Sequence, residues 1–166
     1  MRAFAMSLVF FFASLPLIAQ NWVRLDDVIN PMTDRRFVAF KLKGEIDSSG
    51  AGTTNMGVQC SGGKFQWAGF AIGGMIFASS YILTTPVTLR IGNRLSSENL
   101  SLTEDRTTAQ IFKISQLRDI DSAGSLIVEF KDAVGTTHYA KFLGASFTPE
   151  LLSQCGGLAK KERKTN

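Results

Sequence analysis

The chain carries two cysteines, Cys60 and Cys155, and their spacing is its strongest constraint. Joined, they close a loop of about a hundred residues, which in the chain-entropy account removes roughly 4 to 5 kcal/mol from the unfolded state. Such a bond ties the turn Ser61-Gly62-Gly63-Lys64 to the C-terminal region and implies one covalently closed domain. Two free, buried thiols are the alternative, and the choice depends on the compartment in which the chain folds.

The N-terminus addresses that choice. Residues 1–19 have the layout of an export leader: Arg2, an apolar run beginning at Ala3, Pro16, and a small residue at Ala19. Cleavage falls after Ala19 or after Gln20. A retained membrane anchor is the alternative, although a run of about 16 apolar residues is shorter than the roughly 20 that span a bilayer. An exported chain with two cysteines most simply forms one disulfide, so a periplasmic or other extracytoplasmic location is expected. The expected organisation is a leader over residues 1–19, a single β-rich domain over 20–158 and a basic tail over 159–166.

The formal charge of +4 does not describe a binding face. Arg2 accounts for one positive charge and the tail Lys160-Lys161-Glu162-Arg163-Lys164 for a net three, so the body is formally neutral. A nucleic-acid surface needs clustered Lys and Arg with aromatics on the folded part, and none is expected here. Membrane contact is confined to the N-terminal segment or the basic tail.

Most of the chain reads as short strands separated by turn residues. Residues 37–42 alternate, with Val38, Phe40 and Leu42 on one face. The glycine-rich stretch 44–54 reads as a loop. Residues 56–60 and 65–72 flank Ser61-Gly62-Gly63-Lys64 as a hairpin, with Phe65, Trp67 and Gly69 sharing one face. Gly73-Gly74 breaks the pattern before the apolar segment 75–83. Val87, Leu89 and Ile91 form a further strand, and Leu100 with Leu102 another. Residues 126–130 and 137–142 flank a second hairpin signal at Asp132-Ala133-Val134-Gly135. Leu25, Val28 and Ile29 have the spacing of a helical turn, as do Ile111, Ile114 and Leu117 within a helix expected over 110–120. Thr148 as N-cap, Pro149 and Glu150 open a terminal helix that Gly156-Gly157 ends. About seven strands with one or two short helices imply a mainly β fold, an antiparallel sandwich or partly open barrel closed by the disulfide.

Reaction chemistry is sparse. His138 is the single histidine and would be the base of a small periplasmic hydrolase, yet no Gly-x-Ser-x-Gly marks a nucleophile. Three carboxylate pairs, Asp26-Asp27, Glu104-Asp105 and Asp119 with Asp121, lie in turn-like sequence where caps and solvent-facing charges are common. The glycine clusters lack the Lys-Ser/Thr and following helix of a phosphate loop. No metal or cofactor set is expected, and no catalytic residue is assigned. Trp22, Phe65 and Trp67 are the aromatics that would line an exposed partner-binding face, with core packing as the alternative reading.

Several landmarks recur together in one family. After the leader come Trp22 and Asn30-Pro31-Met32-Thr33-Asp34, then the Cys-x-x-x-Lys turn from Cys60 to Lys64 and the strand Val87-Thr88-Leu89-Arg90-Ile91. Thr103-Glu104-Asp105-Arg106 and the closing Leu151-to-Cys155 segment follow. In these the chain resembles the exported accessory proteins associated with bacterial type VI secretion, of the VasI or TagO type. The resemblance spans most of the chain beyond the leader. The stretches 44–54, richer in glycine, and 73–84, less polar, depart from it. It implies a periplasmic accessory role without enzymatic activity and a protein partner in the cell envelope.

Overall fold

The computed structural model of the chain describes residues 22–25, 27–29, 36–47, 52–72, 74–78, 83–111 and 113–158. Ten strands and two helices follow in the order β1 (Val23–Arg24), β2 (Val28–Ile29), β3 (Arg36–Asp47), β4 (Gly52–Ser61), β5 (Lys64–Ile72), β6 (Thr84–Ile91), β7 (Arg94–Leu102), β8 (Thr108–Gln110), α1 (Ile114–Ala123), β9 (Ser125–Lys131), β10 (Thr137–Leu143) and α2 (Pro149–Gln154). All strand pairs are antiparallel, in the order β3-β10-β9-β6-β7-β8-β5-β4, and β4 pairs back onto β3. The result is a closed eight-stranded barrel, with β1 and β2 added along the part of β3 that β10 does not cover.

The period-2 pattern of each strand selects its inner face. Val38, Phe40, Leu42 and Gly44 of β3 lie opposite Cys60, Val58, Met56 and Thr54 of β4, and all eight are buried. Phe70, Leu89, Val128, Phe130, Ala140 and Phe142 complete the filling from the other strands. An eight-stranded barrel is just wide enough for side chains to fill it, so the interior is a core. Gly44 belongs to that core: a Cβ there would lie 2.6 Å from Phe142 Cδ1 and 2.7 Å from the Lys141 carbonyl oxygen. The stretch 44–54 is therefore largely strand, with β3 running to Asp47 and β4 starting at Gly52. Its Gly44 makes room for the Phe142 ring of the adjacent strand β10, a demand that composition does not announce.

One end of the barrel is plugged by the helices. Leu117 and Ile120 of α1 and Leu151 of α2 are buried there. The Arg118 guanidinium donates to the carbonyl of Leu158 at 3.2 Å, and the Phe147 N–H donates to Asp121 Oδ1 at 2.7 Å. Thr148 caps α2 as expected, its hydroxyl accepting from the Leu151 N–H. Cys60 and Cys155 are bonded, with Cα atoms 5.3 Å apart, which fixes this plug to the β4–β5 hairpin. The turn of that hairpin is Gly62-Gly63, with φ of +56° and +73°, the two-residue type I′ form that glycine accommodates. The opposite end is crossed by residues 74–78, whose Ile76 is fully buried. The Ile76 N–H donates to the Arg106 carbonyl and the Phe77 N–H to that of Lys131.

The mainly β, disulfide-closed class holds, and three local expectations change. Leu25, Val28 and Ile29 form no helical turn: β1 and β2 add to β3 instead, where open backbone groups are available. Residue 110 ends β8, and the helix starts at Ile114; Ile111 still belongs to the wall, donating its N–H to the Ala68 carbonyl. Within 75–83, Ile76 makes only an isolated bridge to Asp132 among the described residues. Gly92-Asn93 makes a tight hairpin that joins β6, the strand expected at Val87, Leu89 and Ile91, to β7, which contains Leu100 and Leu102.

Two stability experiments follow. Reduction of the Cys60–Cys155 bond should cost about 2 to 5 kcal/mol, with hydrogen exchange rising first over residues 149–158; equal rises in β3 and β4 would contradict this. Thr85 is fully buried, and its hydroxyl is the one buried side-chain group among the described residues without a hydrogen-bond partner. Thr85→Val should be neutral or stabilising by about 1 kcal/mol in urea unfolding, and a clear loss of stability would show that the hydroxyl has a partner.

Candidate functional site

With the interior filled, the outer wall is where a ligand would meet this protein. The strands β7, β6, β9 and β10 lie side by side, and their register aligns the outward residues in rows. Ser97, Thr88, Glu129 and Tyr139 form one row; Leu95, Arg90, Ile127 and Lys141 form the next. Two grooves run over them. One, of about 340 Å³, is lined by both rows except Ser97. The other, of about 510 Å³, shares Thr88 and Glu129 with it and extends to Phe77, Pro86, Asn99 and Lys131.

The surface is apolar and cationic together. Leu95 is 70% exposed, Tyr139 41% and Phe77 37%. Arg90 and Lys131 are exposed beside them, Lys141 lines the smaller groove, and the carboxylates are Glu129, which lines both grooves, and Glu98 in the larger one. Aromatic and aliphatic side chains held in place by neighbouring strands, with arginine at their margin, have the composition of a protein-binding patch. Sequence reading did not find this face. Its residues alternate with core positions on four strands, and only the strand order brings them together.

The three aromatics proposed for a binding face do not form one. Trp22 is buried, edge-on to Phe147 at 5.6 Å, and its indole Nε1–H donates to the Ala145 carbonyl at 3.3 Å. Phe65 and Trp67 point to opposite sides of β5 because a bulge at Gln66 shifts the register: Gln59 faces Trp67, but Cys60 faces Phe65. Phe65 thereby packs against the core. Trp67 lies on the outer wall over the cross-strand pair Gly57 and Gly69, where a Cβ at Gly69 would approach its Cζ2 to 2.7 Å. Two glycines bare the backbone, and the indole covers them.

His138 lies beside Phe130 on β9, their rings stacked with centroids 5.6 Å apart, and its Nε2 is 2.9 Å from Asp132 Oδ2. The other carboxylate oxygen, Oδ1, accepts the N–H groups of Val134 and Thr136. This arrangement clamps the β9–β10 turn. The Asp132 carboxyl is held below its ordinary value of 3.8, chiefly by the His138 hydrogen bond; partial burial pushes the other way, and the two amides reinforce the lowering.

The carboxylate pairs also have structural tasks. Asp27 binds Arg24 at 2.9 Å and pairs with Arg36; Asp26 lies outside the described residues. Asp105 accepts the Thr103 hydroxyl at 2.6 Å, which with the Thr107 amide lowers its pKa and shapes a turn where Arg106 takes φ +56°. Asp119 pairs with Arg94, and Asp121 holds the Phe147 amide. Among the described residues no group of three His, Cys, Asp or Glu side chains is arranged to hold a metal ion.

The Asp132 clamp has a defined pH dependence. A carboxyl whose folded pKa lies below its unfolded value stabilises the fold above that unfolded value, and the contribution is lost as pH falls through the folded pKa. Asp132→Asn should therefore lower the urea midpoint at neutral pH, with the gap to the parent narrowing below pH 3.8. A gap that stays constant across that range would remove the clamp.

Comparison of the chain with protein-family models, with curated proteins and with solved structures finds no match to it.

Proposed function

We propose that this protein is an exported binding module of the bacterial cell envelope, one that acts by holding a protein partner on the outer wall of its barrel. The observation that carries the reading is the pair of adjoining grooves over β6, β7, β9 and β10, where Leu95, Tyr139 and Phe77 stand exposed beside Arg90 and Lys131. The partner this surface suits presents an extended, partly apolar segment with carboxylates to meet the two cations. On the resemblance to exported accessory proteins of type VI secretion, we propose a partner that belongs to a secretion apparatus. A disulfide between Cys60 and Cys155 is in keeping with an oxidising compartment. Among the described residues no helix is long and apolar enough to cross a membrane.

The reading has a direct test in cells. A photo-crosslinking amino acid at Tyr139 should capture an envelope protein, and the same probe at the exposed Gln66, on β5 in the far wall of the barrel, should not. Arg90→Glu with Lys131→Glu should reduce the Tyr139 adduct about tenfold or more. Equal labelling from both positions, or recovery of the chain in the cytoplasm with both thiols free, would overturn the proposal.

A further inference from the structure

The barrel is closed in topology, but one stretch of its wall has a free edge. Strand β8 is three residues long and meets β7 only at Ser101 and Leu102. Below that point the chain leaves the sheet to form α1, so residues 94–99 of β7 pair with β6 alone. Hydrogen-bonded and non-hydrogen-bonded pairs alternate along an antiparallel ladder. Pro86 has no N–H to donate, and it lies opposite Asn99, which fits a non-hydrogen-bonded pair there. Arg90 with Leu95 and Thr88 with Ser97 are then of the same kind. The backbone N–H and C=O groups of Leu95, Ser97 and Asn99 therefore point away from β6. Among the described residues, no backbone group bonds to them on that side.

This edge carries charge at Arg94 and Glu98 but lacks two other usual protections. The β6–β7 register runs without a bulge, and β7 contains no proline. Arg94 through Ser97 and Asn99 are exposed. A space of about 170 Å³ separates the strand from α1, lined by Arg94, Ser96, Glu98 and, from the helix side, Lys113, Gln116 and Asp119.

We propose that this edge is an interface with a second copy of the chain, formed by antiparallel pairing of β7 with its own counterpart across a two-fold axis at Ser96. The register follows from backbone direction and charge. Outward-directed groups sit on Leu95, Ser97 and Asn99, so the bonded pairs across the axis must join these residues. An axis at Ser96 sets Leu95 opposite Ser97 of the second copy and Arg94 opposite its Glu98, twice by symmetry. An axis at Ser97 sets Leu95 opposite Asn99 and brings no charges together. Serine at the centre lets the strands approach closely. Arg94 now pairs with Asp119 at 3.1 Å at an exposed position, where exchange of partner costs little, while Glu98 is half-buried, held by Lys113 and by Gln116 at 2.9 Å each, and keeps these partners as it receives Arg94 of the second copy. The interface adjoins the partner groove proposed above, and Leu95, Ser97 and Asn99 border both.

Sedimentation velocity of the mature, oxidised protein over a dilution series tests this. The parent should show a monomer–dimer equilibrium. Ser97→Pro removes one outward N–H and leaves the β6 ladder intact, so it should sediment as monomer with unchanged circular dichroism. Arg94→Glu should weaken the dimer about tenfold, and adding Glu98→Arg should restore it. Ser96→Cys should cross-link two chains on oxidation, because a residue on the axis faces itself. A parent that stays monomeric throughout overturns the proposal, as does a dimer indifferent to Ser97→Pro and to charge reversal, or one that Ser96→Cys fails to cross-link.

Discussion

Strand β3 is paired along both edges, and the remaining structure depends on that closure. On one side it meets β4 from Phe37 to Ile46; on the other it meets β10 at Glu45–Asp47, then gives its free groups to β1 and β2. Closing the sheet satisfies backbone groups that would otherwise need water, and it turns eight strands into a container for one core. The closure is sterically narrow. Gly44 stands where any Cβ would strike Phe142, so the junction of β3 with β10 depends on a missing side chain. The helices and the Cys60–Cys155 bond then seal one end, and Ile76 seals the other.

The fold class was legible because alternation is local. Val38, Phe40 and Leu42, or Val87 and Leu89, declare an inner face within one strand, and Thr148-Pro149-Glu150 declares a helix start. What failed had a non-local cause. Gly44 looks like loop sequence until Phe142 is placed across from it. Phe65 and Trp67 share a face by spacing alone, and the bulge at Gln66 separates them. Leu25, Val28 and Ile29 have helical spacing, but the open groups of β3 draw the chain into strands. The outer-wall groove was illegible for the same reason: Arg90, Tyr139 and Leu95 are distant in sequence, and neighbours only through strand order.

This architecture divides its side chains by task. Titratable groups that looked like chemistry in the sequence hold turns and helix ends, as Asp132 does for the β9–β10 turn and Asp121 for the segment before α2. Surface left over from that work is concentrated on one side of the barrel, where exposed apolar residues meet cations, and along the β7 strand that β8 leaves uncovered. A filled barrel leaves its walls and rims to meet other molecules, and here the wall grooves and the free edge share Leu95, Ser97 and Asn99.

Closure between β10 and β3 is the claim on which these arguments converge, and cross-strand contacts measured by nuclear magnetic resonance in solution test it most directly. The account predicts backbone proton contacts between Ala140 and Ile46, observed together with those of Leu42 with Met56 on the other edge of β3. Absence of the Ala140–Ile46 contact, in a spectrum where the other strand pairs are present, would show an open sheet and contradict the barrel.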